Sequence, residues 1–343
     1  MIENSVFLKA CRKEVTEYTP IWLMRQAGRY MKEYRAIRKK VDFLTMCKTP
    51  ELAAEVTLQP IEKLGVDAAI IFADILLPLE PMGITLEFTK GEGPVIHNPI
   101  RNESDINQLR SIEPEEDVPF VLETVEKVRK ELDGKIPLIG FSGSPFTLAS
   151  YMIEGGHSRN FVKTKQLMYH YSRSWHHLME KLAETVTAYL NAQIKAGVQA
   201  VQLFDTWVGC LSPQDYAEFV LPHSRSIFKQ LEKGIPAIHF AADSSSLLGL
   251  MQKAGGDVIG IDWRIDLAVA WERLGSAVGI QGNLDPAMLF APLPVMKDRV
   301  RGILESAANR PGHIFNLGHG ILPQTPVEHA KALVETVHEL SRR

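Results

Sequence analysis

Short apolar segments rich in β-branched residues alternate along this chain with longer segments of helical periodicity. Eight of the apolar segments are predicted to be strands: residues 21–24, 68–72, 137–141, 199–204, 236–240, 257–261, 277–281 and 313–317. Because they are continuously apolar rather than apolar at every second position, they are typical of a parallel sheet covered on both faces. Eight strands that alternate with helices predict an α/β fold of the (β/α)8 or TIM barrel class. A doubly wound open sheet is the structural alternative, since a strand count from one sequence can differ by one.

With 343 residues, the chain is long enough to bury a large core without disulfides or a metal. It has 38 Lys and Arg against 41 Asp and Glu, so its net charge of −3 gives no overall basic surface for nucleic acid. The three cysteines, Cys11, Cys47 and Cys210, form no CxxC pair, which argues against a disulfide framework or a zinc ribbon. The sequence has neither an apolar signal-peptide core at its start nor a typical membrane span, so we expect a cytoplasmic protein.

One predicted connection, at about 77–119, is unusually long, polar and rich in Pro and Gly. Within it, ITLEF and PVIHN flank the sequence KGEG, which predicts a β-hairpin excursion. Long insertions after a barrel strand often shape a site or form a lid, but an incidental surface loop would have the same composition. The sequence leaves both interpretations open.

Polar or small residues follow the predicted strands, and in a barrel these positions line the active-site mouth. They are Arg25 with Gln26, Asp74, Ser142, Asp205 with Thr206, Asp262, Gly282 with Asn283, and Gly318 with His319. The glycine-rich nucleotide motifs, the zinc-protease HExxH motif and the serine-hydrolase GxSxG motif do not occur. If the chain is an enzyme, its chemistry is therefore expected to come from its side chains and from the substrate itself.

The densest concentration of charge lies in residues 22–40, which contain seven Lys and Arg but only one Glu. Guanidinium groups bind carboxylates and phosphates through two parallel hydrogen bonds. Arg25 and Arg29 adjoin a predicted strand end, and the small residues Ala27 and Gly28 between them let a ligand approach the backbone. We expect these two arginines to bind an acidic substrate, whereas the later basic residues of the segment are typical of a solvated helix face.

Three further residues have both a structural and a functional interpretation. Asp74 in IIFADILLP and Asp205 in LFDTW each follow an apolar run. Such a carboxylate either makes a salt bridge or helix cap, or it stabilises developing positive charge in a site. His319 in NLGHGILPQTP lies between glycines, which favours a tight exposed loop over a packed core position.

Six longer motifs occur in register: PIWLMRQAGRYMKEYR, IIFADILLP, GFSGSPFTLASYMIEGG, VQLFDTWVG, IQGNLDP and FNLGHGILPQTP. Together they resemble the uroporphyrinogen decarboxylase family of haem biosynthesis over nearly the whole chain. The resemblance implies a single distorted (β/α)8 TIM barrel domain over residues 1–343, assembled as a cytoplasmic homodimer. It also implies an enzyme without metal or cofactor, whose substrate uroporphyrinogen III carries eight carboxylates on four pyrroles. The family removes carbon dioxide from the four acetate arms and gives coproporphyrinogen III.

Carried over by position, the resemblance implies a substrate-binding set consisting of Arg25, Gln26, Ala27, Gly28, Arg29, Asp74, Tyr151, Thr206 and His319. Asp74, Arg25 and Arg29 are the expected catalytic residues among them. A protonated pyrrole can accept the electrons released with carbon dioxide, so the substrate needs no separate electron sink. Asp74 would stabilise that cation, while the arginines would hold carboxylates, and one of them would deliver protons through water.

Two alternatives remain at this point. A zinc methyltransferase acting on corrinoids or thiols has a similar fold, but its His-x-Cys ligand pair is replaced here by the stretch His239-Phe240-Ala241. No cysteine follows Cys210 to supply the second thiolate. A non-catalytic tetrapyrrole carrier would need the arginines, but it would not need Asp74 in an apolar run.

Overall fold

Seven parallel strands form one curled sheet in the computed structural model, which describes residues 2–89, 93–132 and 134–343. In their order across the sheet, its strands are β1 (Ala69–Ile70), β4 (Leu138–Gly143), β5 (Ala200–Asp205), β6 (Ala237–Ala241), β7 (Val258–Gly260), β8 (Gly279–Gln281) and β9 (His313–Ile314). A separate antiparallel pair is formed by β2 (Leu86–Thr89) and β3 (Gly93–Ile96).

The gap between β9 and β1 is closed by the chain segment around Ile21. Phe315 N–H donates to Pro20 O at 2.8 Å, and Ile21 forms an isolated parallel bridge with Phe315. On the other side, Asp67 N–H donates to Ile21 O at 2.8 Å, and Ile21 N–H donates to the Asp67 carboxylate at 2.7 Å. The ring is therefore complete, and the predicted α/β barrel is confirmed.

The prediction of a regular strand over residues 21–24 is wrong. The chain turns directly after Trp22, because Gln26 N–H donates to Leu23 O at 2.8 Å and Arg25 adopts a left-handed φ of 60°. A turn at this point removes the ladder beyond Ile21 and makes the barrel distorted. It also brings Arg25 to the barrel mouth instead of leaving it in the sheet.

Helices surround the sheet and cover its outer face. They are α1 (Val6–Cys11), α2 (Lys32–Arg38), α3 (Phe43–Lys48), α4 (Pro50–Leu64), α5 (Glu103–Gln108), α6 (Pro114–Asp117), α7 (Pro119–Leu132), α8 (Pro145–Glu154), α9 (Val162–His170), α10 (Ser172–Ala196), α11 (Pro213–Phe219), α12 (Leu221–Gln230), α13 (Leu248–Ala254), α14 (Leu267–Leu274), α15 (Leu293–Ala307) and α16 (Val327–Ser341). Within the described ranges, none combines the length and apolar character that a membrane crossing requires.

The inside of the barrel contains a short chain of polar side chains within the apolar core. Trp22 Nε1–H donates to Gln281 Oε1 at 2.9 Å, and Gln281 Nε2–H donates to Gln202 Oε1 at 2.9 Å. All three residues are buried. Because β5 and β8 are not neighbours in the sheet, a contact between their side chains must cross the barrel interior. These hydrogen bonds satisfy the Trp22 indole N–H, the Gln281 side chain and Gln202 Oε1, which would otherwise be costly to bury.

The long connection at about 77–119 folds as the predicted hairpin followed by α5 and α6. The pairing runs from Leu86 opposite Ile96 to Thr89 opposite Gly93, while residues 90–92 of the expected KGEG turn lie outside the described residues. Ile96 N–H donates to Gly155 O, and Ile100 N–H donates to Met152 O, both at 2.9 Å. The excursion is therefore attached to the carboxyl-terminal end of α8, the helix that carries Tyr151.

Candidate active site

The loops after the parallel strands meet at one end of the barrel, where the sequence predicted a site. Asp74 follows β1, Thr206 follows β5 and His319 follows β9, while Tyr151 lies on α8 after β4. Arg25 comes from the turn after the closing segment. The Arg25 side chain lies across Gly320, next to His319, and its charge affects the pKa of Asp74 and of Tyr151, so these groups lie in one region.

Gln26 is buried and holds the arginine turn together. Its Oε1 accepts the N–H of Leu23, and its Nε2–H donates to Ala68 O, both at 3.1 Å. Its own carbonyl accepts the Tyr30 hydroxyl at 2.6 Å. Both polar atoms of the Gln26 side chain are hydrogen-bonded within the protein. Gln26 therefore positions the neighbouring Arg25, and a ligand could contact it only through its backbone.

Small residues allow the turn to pack tightly. A Cβ at Gly28 would lie 3.1 Å from Arg25 O, closer than most real contacts of this kind. The Arg25 side chain in turn lies across Gly320, where a Cβ would come within 2.8 Å of its Cγ. Ala27 and Gly28 are partly exposed, and Arg29 is exposed beside them. The backbone carbonyl of Arg29 accepts a guanidinium N–H from Arg35 at 2.8 Å, which fixes the end of the turn.

Asp74 is a partly accessible carboxylate in apolar surroundings. Burial raises its pKa to about 6, although the Leu76 N–H bond and the positive charge of Arg25 act in the opposite direction. Leu76 N–H donates to Asp74 Oδ1 at 2.9 Å, which orients the group. A carboxylate that is poorly hydrated and still largely ionised at neutral pH attracts nearby positive charge strongly.

Tyr151 stacks on Trp207, with ring centroids 3.9 Å apart and an interplanar angle of 32°. Phe161 packs on Trp207 as well, with its ring centroid at 5.0 Å. Burial, reinforced by the negative charge of Asp74, raises the pKa of Tyr151 well above its usual range. The Tyr151 hydroxyl therefore stays protonated and is a hydrogen-bond donor near Asp74.

Asp205 joins the end of β5 to α8. The Thr147 hydroxyl donates to Asp205 Oδ1 at 3.1 Å, and Thr147 Oγ1 accepts the N–H of Trp207 at 3.4 Å. Asp205 is fully buried, and burial raises its pKa to about 6. Thr206, between Asp205 and Trp207, is partly exposed at the mouth. The structural interpretation of Asp205 is therefore the better one, because its carboxylate holds the loop that carries Thr206.

His319 is neutral and has a defined tautomer. Burial, together with the positive charges of Arg25 and Arg264, lowers its pKa to about 4. Gly320 N–H donates to His319 Nδ1 at 2.8 Å, so the ring hydrogen lies on Nε2. His319 therefore presents an uncharged N–H donor next to the arginine turn.

Sequence reasoning missed an aromatic layer beneath the rim. Phe204 lies 5.5 Å from Phe141 and 5.8 Å from Phe240 between ring centroids. Phe204 is two residues beyond Gln202 and so faces the barrel interior as Gln202 does. Gly260 leaves room for the Phe240 ring, since a Cβ there would lie 2.9 Å from it. These rings form an apolar floor under the polar rim, and the last inward-facing residue of each strand was the available signal.

Among the residues that the structure describes, no group of three or more His, Cys, Asp or Glu side chains is placed to hold a metal ion. His239, at the position considered for a zinc ligand, is buried with its ring 5.0 Å from Phe228 of α12. It therefore faces the helix layer outside the sheet.

Comparisons with known proteins identify the family of this chain. Residues 3–340 match the family model described as uroporphyrinogen decarboxylase (URO-D). A uroporphyrinogen decarboxylase of Carboxydothermus hydrogenoformans is 62% identical over 339 residues, covering 98% of this chain and 97% of that protein. One from Sorangium cellulosum is 58% identical over 337 residues, covering 98% and 96%.

Among solved structures, a methyltransferase from Methanosarcina mazei has a TM-score of 0.82 at 19% identity, covering 97% of both chains. A B12-independent methionine synthase from Shewanella has a TM-score of 0.59 at 12% identity, covering 88% of this chain and 91% of that one. At such identities the likeness concerns the barrel fold alone. The match to the family model and the identity to its members over nearly the full length show that this chain belongs to the uroporphyrinogen decarboxylase family.

Proposed function

We propose that this enzyme decarboxylates the four acetate arms of uroporphyrinogen III and releases coproporphyrinogen III and carbon dioxide. The names of relatives at 62% and 58% identity support the reaction class and its place in porphyrin biosynthesis. The observation that carries the proposal is Asp74, an ionisable carboxylate in apolar surroundings with Arg25 close enough to affect it. A ligand with both cationic and anionic parts suits such a pair.

The reaction needs a transient cation on the pyrrole. Protonation of the ring carbon next to the one that bears the acetate makes an iminium-like ring. The bond between the acetate methylene and its carboxylate then breaks, its electron pair enters the ring, and carbon dioxide leaves. Protonation of the resulting exocyclic methylene gives the methyl group, and loss of the first proton restores the pyrrole. For each arm, one carboxylate and one proton are consumed, and one methyl and one carbon dioxide are formed.

Asp74 is the group we assign to the cation. In the proposed complex its carboxylate accepts pyrrole N–H groups and stabilises positive charge where it develops. Poor hydration strengthens this effect, because fewer waters screen the carboxylate. The raised pKa of Asp74, about 6, is the sign of that poor hydration and leaves most of the group ionised at neutral pH.

The remaining predicted residues are assigned to the carboxylates of the substrate. Arg25 and Arg29 bind them as guanidinium forks, and one of the two passes protons inward through water. Ala27 and Gly28 allow close approach to the turn, and Gln26 positions it. The donors Tyr151, Thr206 and His319 complete the set.

We also propose that the protein acts as a cytoplasmic homodimer, that residues 1–343 form one domain, and that no metal or cofactor takes part. Light scattering with size-exclusion chromatography tests the assembly, and a mass near twice 38.4 kDa is expected. Full turnover by protein treated with a chelator tests the independence from metal.

The activity is tested by incubating the protein with uroporphyrinogen III without oxygen and with a chelator, followed by oxidation and separation of the porphyrins by carboxylate number. Products with seven down to four carboxylates are expected. Turnover that depends on added zinc would favour the methyltransferase-like alternative. An unchanged eight-carboxylate peak, with binding demonstrated separately, would favour a tetrapyrrole carrier.

A further inference from the structure

Arg264, in the loop after β7, is held on three sides. Its Nε lies 2.7 Å from Asp243 Oδ1, and its Nη1 lies 2.6 Å from Asp262 Oδ2. Its guanidinium carbon is 4.3 Å from the centre of the Trp263 ring. The buried Asp262 also accepts the backbone N–H groups of Asp243 at 2.7 Å and of Arg264 at 3.0 Å. A guanidinium fixed in this way loses little further freedom when it binds another anion.

The side chain of Arg264 still has donors to offer. Its Nη2 makes no hydrogen bond to any residue that the structure describes, and the side chain is 44% exposed despite both ion pairs. The side chain of Asp243 is itself 54% exposed, so water screens its ion pair with Arg264. The Nη2 group of the guanidinium is thus open to a ligand.

Arg264 also lies at the mouth of the barrel. The backbone of Gly318 packs against the loop after β7 so closely that a Cβ there would lie 2.7 Å from Trp263 N. This contact places Arg264 next to His319, whose pKa its charge lowers. On the other side of His319, the Arg25 side chain lies across Gly320. The rim therefore carries an arginine on either side of a neutral histidine donor.

We propose that Arg264 is a further substrate-binding residue, whose free Nη2 binds a carboxylate of the tetrapyrrole on the side of His319 opposite Arg25. This inference rests on the proposed function, which supplies a substrate with eight carboxylates spread around a ring. Arg25 and Arg29 lie on one turn and reach only one sector of such a ring. A preorganised cation in another sector fixes the rotation of the macrocycle over Asp74.

A purely structural role makes a different prediction. Arg264 would then serve only to neutralise the buried Asp262 and to join the loops after β6 and β7. Loss of either partner of the Arg264–Asp243 pair would then loosen the same loops, and both losses would weaken substrate binding. If Arg264 instead binds a carboxylate, the two losses have opposite consequences, because one removes a positive charge and the other removes a competing negative charge.

The experiment compares Arg264→Gln with Asp243→Asn, both measured for KM and kcat with uroporphyrinogen III. We expect Arg264→Gln to raise KM about tenfold with kcat within about threefold of the unchanged protein, as for a charged hydrogen bond made in both ground and transition states. Asp243→Asn should leave KM unchanged or lower it. Arg264→Lys keeps the charge that neutralises Asp262 but loses the fork, and should raise KM by several-fold even if the glutamine variant folds poorly.

The matched control is Arg310→Gln. Arg310 also packs over an indole, that of Trp271 at 5.5 Å, but it precedes β9 at the opposite end of the barrel. Its KM should not change. An equal rise of KM in Arg264→Gln and Asp243→Asn, or an unchanged KM in both Arg264 variants, would overturn the proposal. Absence of any decarboxylated product from the unchanged protein would instead contradict the proposed function itself.

Discussion

Tyr151 and Trp207 form the closest aromatic stack in the candidate site, with 3.9 Å between ring centroids. Tyr151 belongs to α8 and Trp207 to the loop after β5, so their contact joins two of the elements that carry predicted binding residues. The backbone N–H of Trp207 is tied to α8 as well, through Thr147. The position of the Tyr151 hydroxyl therefore depends on a residue that is not expected to touch the substrate.

Trp207→Leu should remove the stack and free the Tyr151 ring. We expect kcat/KM to fall by about tenfold, in line with an aromatic pair contribution of about 0.5–1.5 kcal/mol beyond burial. Trp207→Phe keeps a ring face and should retain most of the activity. Steady-state kinetics of both variants measure the effect, and equal losses in the two would show that stacking does not set the position of Tyr151.

Asp205→Asn should stabilise the protein at alkaline pH. Burial raises the pKa of Asp205 from 3.8 to about 6, so between these values the folded state keeps a proton that the unfolded state releases. The free energy of unfolding therefore falls as pH rises through this window, by up to about 3 kcal/mol at about 1.4 kcal/mol for each pH unit. The asparagine side chain does not ionise, so the variant does not lose this free energy of unfolding as pH rises. Its amide oxygen can still accept the hydrogen bond from the Thr147 hydroxyl.

Urea unfolding of Asp205→Asn at pH 5 and pH 8 measures this difference. The matched control is Asp298→Asn, which removes an exposed carboxylate paired with Arg301 and should change stability by less than about 1 kcal/mol at either pH. A variant at Asp205 that is less stable than the unchanged protein at pH 8 would show that the buried charge is well compensated.

Most of the fold could be predicted because its signals are local. Continuous apolar runs mark the strands, and Thr49-Pro50 and Gly65 mark the ends of α4, where Gly65 adopts a left-handed φ of 72°. The segment around Ile21 could not be predicted in the same way. Its strand pairing ends at a turn that depends on Gln26 bonding to Ala68, a residue 42 positions away.

The candidate site was predictable where a residue type is unusual for its surroundings, as with Asp74 in an apolar run. Arg264 gave no such signal, because an arginine after a strand resembles any exposed cation. Its significance depends on Asp243, Asp262 and the approach of Gly318, which are distant in sequence. The family resemblance supplied Tyr151, which the residue pattern alone did not single out, whereas Thr206 was already among the residues that follow the predicted strands.

His319 should act as a neutral donor at all pH values used for activity. Its pKa is about 4, and its Nδ1 is occupied by the Gly320 N–H, so Nε2–H is the group available to a carboxylate. His319→Gln can place an amide N–H near the Nε2 position and should keep more activity than His319→Leu, whose KM should rise about tenfold. Equal KM values for the two variants would contradict a donor role.

Arg29→Lys tests whether the arginine turn binds by geometry or by charge alone. The lysine keeps the positive charge but loses the planar fork, so kcat/KM should fall by at least about tenfold. Lys39→Arg, a change at an exposed position after α2, is the matched control and should have no effect. Normal kinetics for Arg29→Lys would show that only the electrostatic field of the turn matters.

The central claim is that the charge of Asp74 stabilises the cation formed during decarboxylation. Asp74→Asn keeps the volume and removes the charge, and it also removes a carboxylate whose ionisation the fold disfavours. The variant should therefore be at least as stable as the unchanged protein at pH 8. The most direct measurement is kcat of Asp74→Asn with uroporphyrinogen III without oxygen. We predict a loss on the order of 10²–10³ with KM within about threefold. A kcat close to that of the unchanged protein would contradict the account.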